Sequence, residues 1–285
     1  MTAIALPKFA SQVAGKTEIV VPFTAHILKP TAAVECANYL QLSSVNPELF
    51  AVLPHCCFVV KDGIATEIGA AKCRHCYLDV EQIKTLLTAV APEGHFLLLQ
   101  DLTSGMTRPR ILDLKIGTRT WGDDKTEEKK REMEKKDALT TTSSLGIRVS
   151  GSRMQVGENL EVVTKSNRKE FSDEEFVQHL VKFFGEPVSA EQIEIAIDGV
   201  QKIQSALNNS IDYRFIGASI LLIVEEEPKN VWIKMATAKL IDLAHTVIPT
   251  KADQKYFGQD KGALKGVDVL LDILYKMKEK KTSAV

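Results

Sequence analysis

The sequence lacks an excess of either charge, an apolar stretch of membrane-spanning length and any internal repeat. Lysine and arginine total 36 and aspartate and glutamate total 37, so the formal net charge is −1. A protein that coats nucleic acid or binds membranes through basic residues carries a large positive charge, so we expect neither nucleic-acid binding nor membrane insertion. The longest apolar run, residues 217–224, has eight residues, whereas a helix crossing a bilayer needs about twenty. This run predicts a buried strand.

The N-terminal residues lack the basic region and apolar core of a secretory signal. The 285 residues are 45% hydrophobic and 26% charged, which is ordinary for a globular protein. That length accommodates one large domain or two lobes with a sizeable core. We therefore expect a monomeric protein of the cytoplasm, the nucleus or both.

Cysteine is confined to one region, because all five cysteines lie between Cys36 and Cys76. Cys73 and Cys76 form a C-x-x-C pair, and with Cys56 and Cys57 they would supply the four thiolates of a zinc site. Cys56 and Cys57 are adjacent, however, and lack that spacing. We favour reduced thiols packed in a small lobe over zinc, and both over a disulfide framework.

Patterning predicts an N-terminal α+β lobe over residues 1–103. The main signals are β-branched and alternating residues, which predict strands, a helical period, and an Asp62-Gly63 pair, which predicts a turn. The predicted elements are strands over 17–21 and 23–29, a helix over 31–42, a hairpin over 58–68, a helix over 79–90 and a strand over 95–99.

A C-terminal lobe is predicted over residues 104–285. Capping boxes begin at Ser172 and Ser189, and each precedes an apolar helical period. The predicted elements are a strand over 109–116, a charged helical insert over 122–143, the two capped helices, paired strands over 213–225 and 231–243, and a last helix over 262–280.

The informative stretch is residues 109–117, which read P-x-x-x-D-x-K-x-G. Residues two apart on a strand point to the same face, so Asp113 and Lys115 project together. A lysine neutralises charge on a moving phosphoryl group, and an aspartate orients a hydroxyl or holds a ribose. From spacing alone, such a pair is more often a surface ion pair.

The segments around this motif resemble the inositol polyphosphate kinase family. Gly-Thr-Arg at 117–119 and Gly-Asp-Asp at 122–124 are most similar to the inositol hexakisphosphate kinase branch. Several ordered motifs make the resemblance specific, although a lone D-x-K would not. The other matching segments are Val13-Ala14-Gly15 and Leu28-Lys29, which resemble the family's opening strands, and residues 142–151, 213–215 and 241–245 (Ile-Asp-Leu-Ala-His).

The resemblance implies a two-lobed α+β kinase fold, distantly like protein kinases, with ATP between the lobes. A short helical insert would help to hold the inositol phosphate. The implied reaction uses ATP and Mg²⁺ to phosphorylate an inositol polyphosphate, converting the hexakisphosphate to a diphosphoinositol product. A multikinase acting on ring hydroxyls of lower inositol phosphates is the alternative within this class. The Gly-rich loop, H-R-D and D-F-G of ordinary protein kinases are absent from the sequence.

The resemblance also implies a nucleotide site. Lys29 would pair with ATP phosphates, steadied by Glu35. Gln100 and Leu102 would belong to the hinge whose backbone meets adenine. Asp113 would contact ribose or lie near the accepting group, and Asp242 would bind Mg²⁺. Without the resemblance, Lys29 could be a solvated strand-end lysine, and Asp242 could be a buried aspartate satisfied by a backbone amide.

Substrate contacts are implied at Lys115, Arg119, Lys129, Lys136 and His245. Lys115 and Asp113 are the catalytic candidates. Periodicity by itself favours a solvated insert helix laced with Glu127–Arg131 and Glu132–Lys136 pairs, and a lone histidine is more often structural. Weaker candidates for phosphate contacts are Arg148, Lys165 and Lys169.

Two departures from the family pattern bear on activity. The segment 151–156 carries two extra residues before Met154-Gln155-Val156, and the family's serine-rich run is reduced at residues 217–219. These departures leave a weakly active inositol-phosphate-binding adaptor as an alternative of a different class.

Overall fold

Two antiparallel sheets organise the computed structural model, which describes residues 6–15, 17–68, 78–164, 170–227, 236–250 and 255–283. The first sheet has four strands in the order β1-β4-β2-β3. Its elements and their flanking helices are β1 (His26–Pro30), α1 (Ala33–Val45), α2 (Pro47–Ala51), β2 (Cys56–Lys61), β3 (Ile64–Glu67), α3 (Val80–Val90) and β4 (His95–Gln100).

Local sequence signals account for most of this lobe. Asp62 and Gly63 adopt φ angles of 47° and 75°, as a tight hairpin turn requires, which confirms the predicted β2–β3 hairpin. A capping box between Asp79 and Gln82 starts α3 where it was predicted.

The strand predicted over 17–21 is wrong, because only Val20 forms isolated bridges there. The carboxamide of Gln12 accepts from the Ile19 N–H at 3.0 Å and donates to the Thr17 carbonyl at 2.8 Å. These contacts occupy backbone groups that a strand would need for its own ladder. The segment is therefore a loop, including Val13-Ala14-Gly15, which resembled an opening strand.

The second sheet has five strands in the order β10-β9-β5-β6-β7, with β5 at its centre. One face of β5 presents Leu112, Leu114 and Ile116 to the core, each at most 1% exposed. The elements of this lobe are β5 (Pro109–Ile116), α4 (Glu127–Ala138), α5 (Thr141–Leu145), β6 (Ile147–Val156), β7 (Asn159–Val163), α6 (Asp173–Phe183), α7 (Ala190–Asn209), β8 (Arg214–Phe215), β9 (Ser219–Glu225), β10 (Ala236–Ile241), β11 (Thr246–Val247) and α8 (Lys261–Ser283).

The predicted strand pair at 213–225 and 231–243 is confirmed in part. β9 and β10 pair antiparallel as expected. Arg214 and Phe215 instead form β8, which pairs with β11. Gly217, at φ 75°, turns the chain between β8 and β9, so the two cannot be one strand. Residues 231–235 of the prediction lie outside the described residues.

One core joins the two sheets. Leu42 of α1 and Leu97 of β4 belong to the same buried cluster as Leu112 of β5 and Phe183 of α6. Capping boxes at Ser172 and Ser189 begin α6 and α7, as predicted. The apolar faces of these two helices pack on this core. Helices in the described part of the chain are all too short or too polar to cross a membrane.

Candidate active site

A cavity between the two sheets gathers the five residues predicted to contact the nucleotide. β1 and β4 form one wall, β5, β9 and β10 form the other, and the covering loop, residues 9–15 and 17–19, lies over part of the cavity. The five residues that line it together are Lys29, Gln100, Leu102, Asp113 and Asp242. They come from both lobes, so the cavity exists only when the lobes are docked.

Lys29 at the end of β1 carries a buried positive charge into the cavity. Its Nζ donates to Glu35 Oε1 at 3.0 Å and to Asp242 Oδ1 at 2.7 Å. Burial alone would lower the pKa of Lys29, but the carboxylates of Asp242 and Glu35 raise it above its ordinary value. Lys29 is therefore a charged, fixed group and not a solvated strand-end lysine.

Asp242 follows β10 in a strained conformation. Its φ of 63° is left-handed, which is uncommon for a residue with a side chain and clusters at functional sites. The side chain is 38% exposed and pairs with Lys29, so a backbone amide is not its main partner. Burial would raise the pKa of Asp242, yet Lys29 and Lys115 hold it below the ordinary value.

Asp113 is the second carboxylate that lines the cavity, and it is buried. It is 3% exposed, and its Oδ1 has no hydrogen-bond partner among the described residues. Burial, followed by the nearby charge of Asp242, raises the pKa of Asp113 to about 6 against the opposing pull of Lys115. An unpartnered buried carboxylate oxygen is costly, so this atom is prepared to accept from a ligand or meet a cation.

The two carboxylates fit a divalent cation. Mg²⁺ is usually bound by one or two carboxylates together with substrate phosphates and waters. Asp242 is accessible from the cavity, and the Oδ1 of Asp113, which has no hydrogen-bond partner among the described residues, belongs to a second carboxylate that lines the same cavity. Across the described ranges, no three His, Cys, Asp or Glu side chains converge as a metal site. The remaining ligands of a cation here would therefore be phosphate oxygens and water.

Lys115 and His245 meet at Gly217, beyond Asp113 along β5. Lys115 Nζ donates to the Gly217 carbonyl at 2.9 Å. A Cβ built on Gly217 would lie 3.8 Å from His245 Cδ2 and 3.9 Å from Lys115 Nζ. Gly217 thus lies close to both an ammonium and an imidazole, which are the kinds of group that bind an anion.

The other predicted substrate residues lie away from this cavity. Arg119 lines a second cavity at the start of α8 and stacks over Trp121 at 4.5 Å. Lys129 and Lys136 on α4 are exposed, and both pair with Glu132. This is the ion-paired, solvated helix that periodicity favoured, and it includes the predicted Glu132–Lys136 pair.

In the other ion pair predicted in the insert, Glu127 hydrogen-bonds Lys130, and Arg131 acts on it only through its charge. The side chain three residues on reaches Glu127 directly, as neighbouring positions on a helix surface allow. Lys165 and Lys169 lie outside the described residues.

The covering loop is the part of the site that the sequence did not predict. The Val13 carbonyl lies so close to β6 that a Cβ on Gly151 would be 2.4 Å from its oxygen. Arg153 Nη1 donates to the Ala10 carbonyl at 2.8 Å. The available signal was Gly151 itself, since a glycine inside a strand marks close approach of another backbone.

The zinc hypothesis needs Cys56 and Cys57 to bind the same ion, and the structure separates them. Cys56 packs in the core shared by the two sheets, whereas Cys57 packs in a separate cluster with Leu28 and Leu87. Adjacent strand residues face opposite sides, so these two thiols cannot clasp one ion. Cys73 and Cys76 lie outside the described residues.

Comparisons with known proteins agree with this architecture. A sequence model described as inositol polyphosphate kinase matches residues 96–275. Inositol hexakisphosphate kinase 3 of Mus musculus is 31% identical over 68% of this chain and 54% of its own length; the Homo sapiens protein of that name is 29% identical over 68% and 55%. The chain thus spans about half the length of these curated relatives.

A solved structure shares the fold. The inositol phosphate multikinase Ipk2 of S. cerevisiae, crystallised with ADP and Mn²⁺, superposes with a TM-score of 0.66 over 88% of this chain and 98% of its own, at 21% identity. This likeness confirms the two-lobed α+β fold. Because the family match covers well over half of the sequence, the chain belongs to the inositol polyphosphate kinase family.

Proposed function

We propose that this protein is an ATP- and Mg²⁺-dependent kinase that phosphorylates inositol hexakisphosphate to a diphosphoinositol product. The observation that carries the proposal is the cavity between the lobes, which is lined by the Lys29 ammonium, by Asp242 in contact with it, and by the carboxylate of Asp113. A nucleotide triphosphate needs a cation for its phosphates and carboxylates for its metal, and the cavity supplies both.

Adenine would lie against the hinge between β4 and β5. The Gln100 N–H donates to His55, and the Asp101 N–H donates to Ala25. In the described structure, no hydrogen bond from the Leu102 N–H is observed, so this group can donate to a base. Leu99, Ile111 and Ile223 supply apolar surface for the ring.

Charge neutralisation and positioning would dominate the transfer. Mg²⁺, held by Asp242, would supply Lewis-acid stabilisation of the phosphates when bound. Lys115, beside Gly217, would hold the transferred or accepting phosphate. A phosphate acceptor is already ionised and needs no strong base. With a ring hydroxyl as acceptor, the raised pKa of Asp113, at about 6, would suit it as the proton acceptor.

The choice of hexakisphosphate rests on the relatives. The two curated relatives described above carry the name inositol hexakisphosphate kinase, at 29–31% identity. The structural neighbour is named a multikinase, and at 21% identity it supports the fold alone. Phosphorylation of ring hydroxyls in lower inositol phosphates is therefore the second candidate.

A product assay tests the proposal. The chain is incubated with Mg²⁺-ATP and, separately, with inositol tris-, pentakis- and hexakisphosphate, and the products are resolved by chromatography. We expect the hexakisphosphate to yield a more anionic product, and Lys115→Ala to abolish that yield while leaving the melting temperature near wild type. Turnover of only the lower phosphates would establish the multikinase candidate. Binding without turnover of any substrate would support an adaptor and refute the kinase proposal.

A further inference from the structure

Two side chains of α1 reach across the interface between the lobes to the loop that carries Asp242. Glu35 and Asn38 are 1% and 6% exposed, and they lie three residues apart on one face of the helix. The loop joins β10 to β11, in the opposite lobe. A polar side chain as buried as Asn38 needs partners for its amide, and it finds them in this loop.

The contacts converge on Leu243, the residue after Asp242. Asn38 Nδ2 donates to the Leu243 carbonyl at 2.8 Å and to the Thr246 carbonyl at 3.1 Å. Glu35 Oε1 accepts from the Leu243 N–H at 3.0 Å. Both backbone polar groups of Leu243 are thus held by α1. The Leu243 and Thr246 carbonyls that accept from Asn38 lie on either side of His245 in the sequence.

These hydrogen bonds hold the residue that directly follows the strained Asp242. Asp242 has a φ of 63°, a conformation that persists only where surrounding contacts over-determine it. Glu35 also accepts a hydrogen bond from Lys29, and Lys29 in turn donates to the Asp242 carboxylate. Glu35 therefore has a role in the nucleotide site, whereas Asn38 touches only the loop.

We propose that Asn38 is a positioning residue that sets the affinity of the site for its divalent cation. It acts by holding the Leu243 and Thr246 carbonyls, and through them the backbone that aims the Asp242 carboxylate into the cavity. An amide suits this position because one nitrogen donates two hydrogen bonds to two carbonyls. The inference rests on the proposed function, since it requires a metal-nucleotide complex in the cavity.

Binding of Mn²⁺ tests the inference without an activity assay. The free Mn²⁺ signal in electron paramagnetic resonance is titrated with protein in the presence of ADP, and ADP binding without metal is measured by calorimetry. Asn38→Leu keeps the branching at Cγ but has no hydrogen-bond donor. We expect its Mn²⁺ affinity to fall about tenfold or more, as for other outer-shell partners of metal ligands, while metal-free ADP binding stays near wild type.

Leu42→Ala is the matched control, since Leu42 is a fully buried residue of the same helix without a polar contact to the loop. This variant lowers the melting temperature but should keep wild-type Mn²⁺ affinity. Asn38→Ala is the milder change that decides the matter if Asn38→Leu does not fold. Wild-type Mn²⁺ affinity in a folded Asn38 variant would overturn the inference. Wild-type protein that binds no Mn²⁺ with ADP would instead refute the proposed function.

Discussion

Arg110 offers a sharp test of how the C-terminal lobe is held together. It is 2% exposed, and its Nε donates to Glu226 Oε1 at 2.6 Å. Its remaining donors reach backbone carbonyls, of which Phe183 at 2.7 Å and Glu186 at 2.8 Å are the nearest. One guanidinium thus ties the α6–α7 connection to the central strand β5.

Replacing Arg110 with methionine keeps the apolar stem but removes the shorter ion pair of the buried Glu226 carboxylate and leaves several backbone carbonyls without their donor. Removal of one partner from a buried ion pair costs about 3–5 kcal/mol. At about 2.1 cal/mol/K per residue, the unfolding entropy of 285 residues is about 0.6 kcal/mol/K, so Tm should fall by about 5–8 °C. Nucleotide binding should persist, because Arg110 lies on the face of β5 opposite Asp113.

Arg108→Met is the matched control. Arg108 also contacts Glu226, at 3.2 Å, but its side chain is 41% exposed. An exposed pair contributes less than about 1 kcal/mol, so Tm should change by no more than about 2 °C. Thermal denaturation followed by circular dichroism measures both variants. Equal effects from the two substitutions would contradict the assignment of Arg110 as the buried clamp.

Three further predictions concern the site and the pH response. Lys29→Met should abolish measurable ADP–Mn²⁺ binding in calorimetry, because it removes the cation between Glu35 and Asp242; undiminished binding would exclude Lys29 from the nucleotide site. Gly151→Ala should weaken ADP binding several-fold, since its Cβ would lie 2.4 Å from the Val13 carbonyl; unchanged affinity would mean that the covering loop does not shape the cavity. Burial lowers the pKa of His179 to about 4, so the unfolded chain takes up the proton first as pH falls. Stability should therefore drop between about pH 6.5 and 4, by about 2 kcal/mol at pH 5 relative to pH 7. Urea unfolding at both pH values should show a smaller drop for His179→Phe, and an equal drop would refute this source.

Elements with short-range signals could be predicted from the sequence. Capping boxes at Ser172 and Ser189 and the Asp62-Gly63 turn depend on contacts within a few residues, and each forms as expected. The strand over 17–21 failed because a β-branched composition needs a ladder partner. Here Gln12 takes the backbone groups instead.

The residues of the proposed nucleotide site could be predicted where family motifs carry them. The five residues come from four separate segments of the chain, and the fold brings them to one cavity. The conformation of Asp242 was not predictable, because the side chains that hold the next residue, Leu243, are those of Asn38 and Glu35, which lie more than 200 residues away in the chain. No local pattern encodes a contact that forms only when the two lobes dock.

Lobe docking therefore also determines the electrostatics of the site. Glu35 contacts both Lys29 in its own lobe and the Leu243 N–H in the other. Separating the lobes would leave a buried carboxylate with an incomplete set of partners, which is costly. Lys29 Nζ forms ion pairs with both Glu35 and Asp242. If the phosphates of a bound nucleotide took over the Nζ, the Asp242 Oδ1 would be free to bind a cation. In the proposed nucleotide site, the network that joins the lobes would therefore couple the binding of phosphate to that of metal.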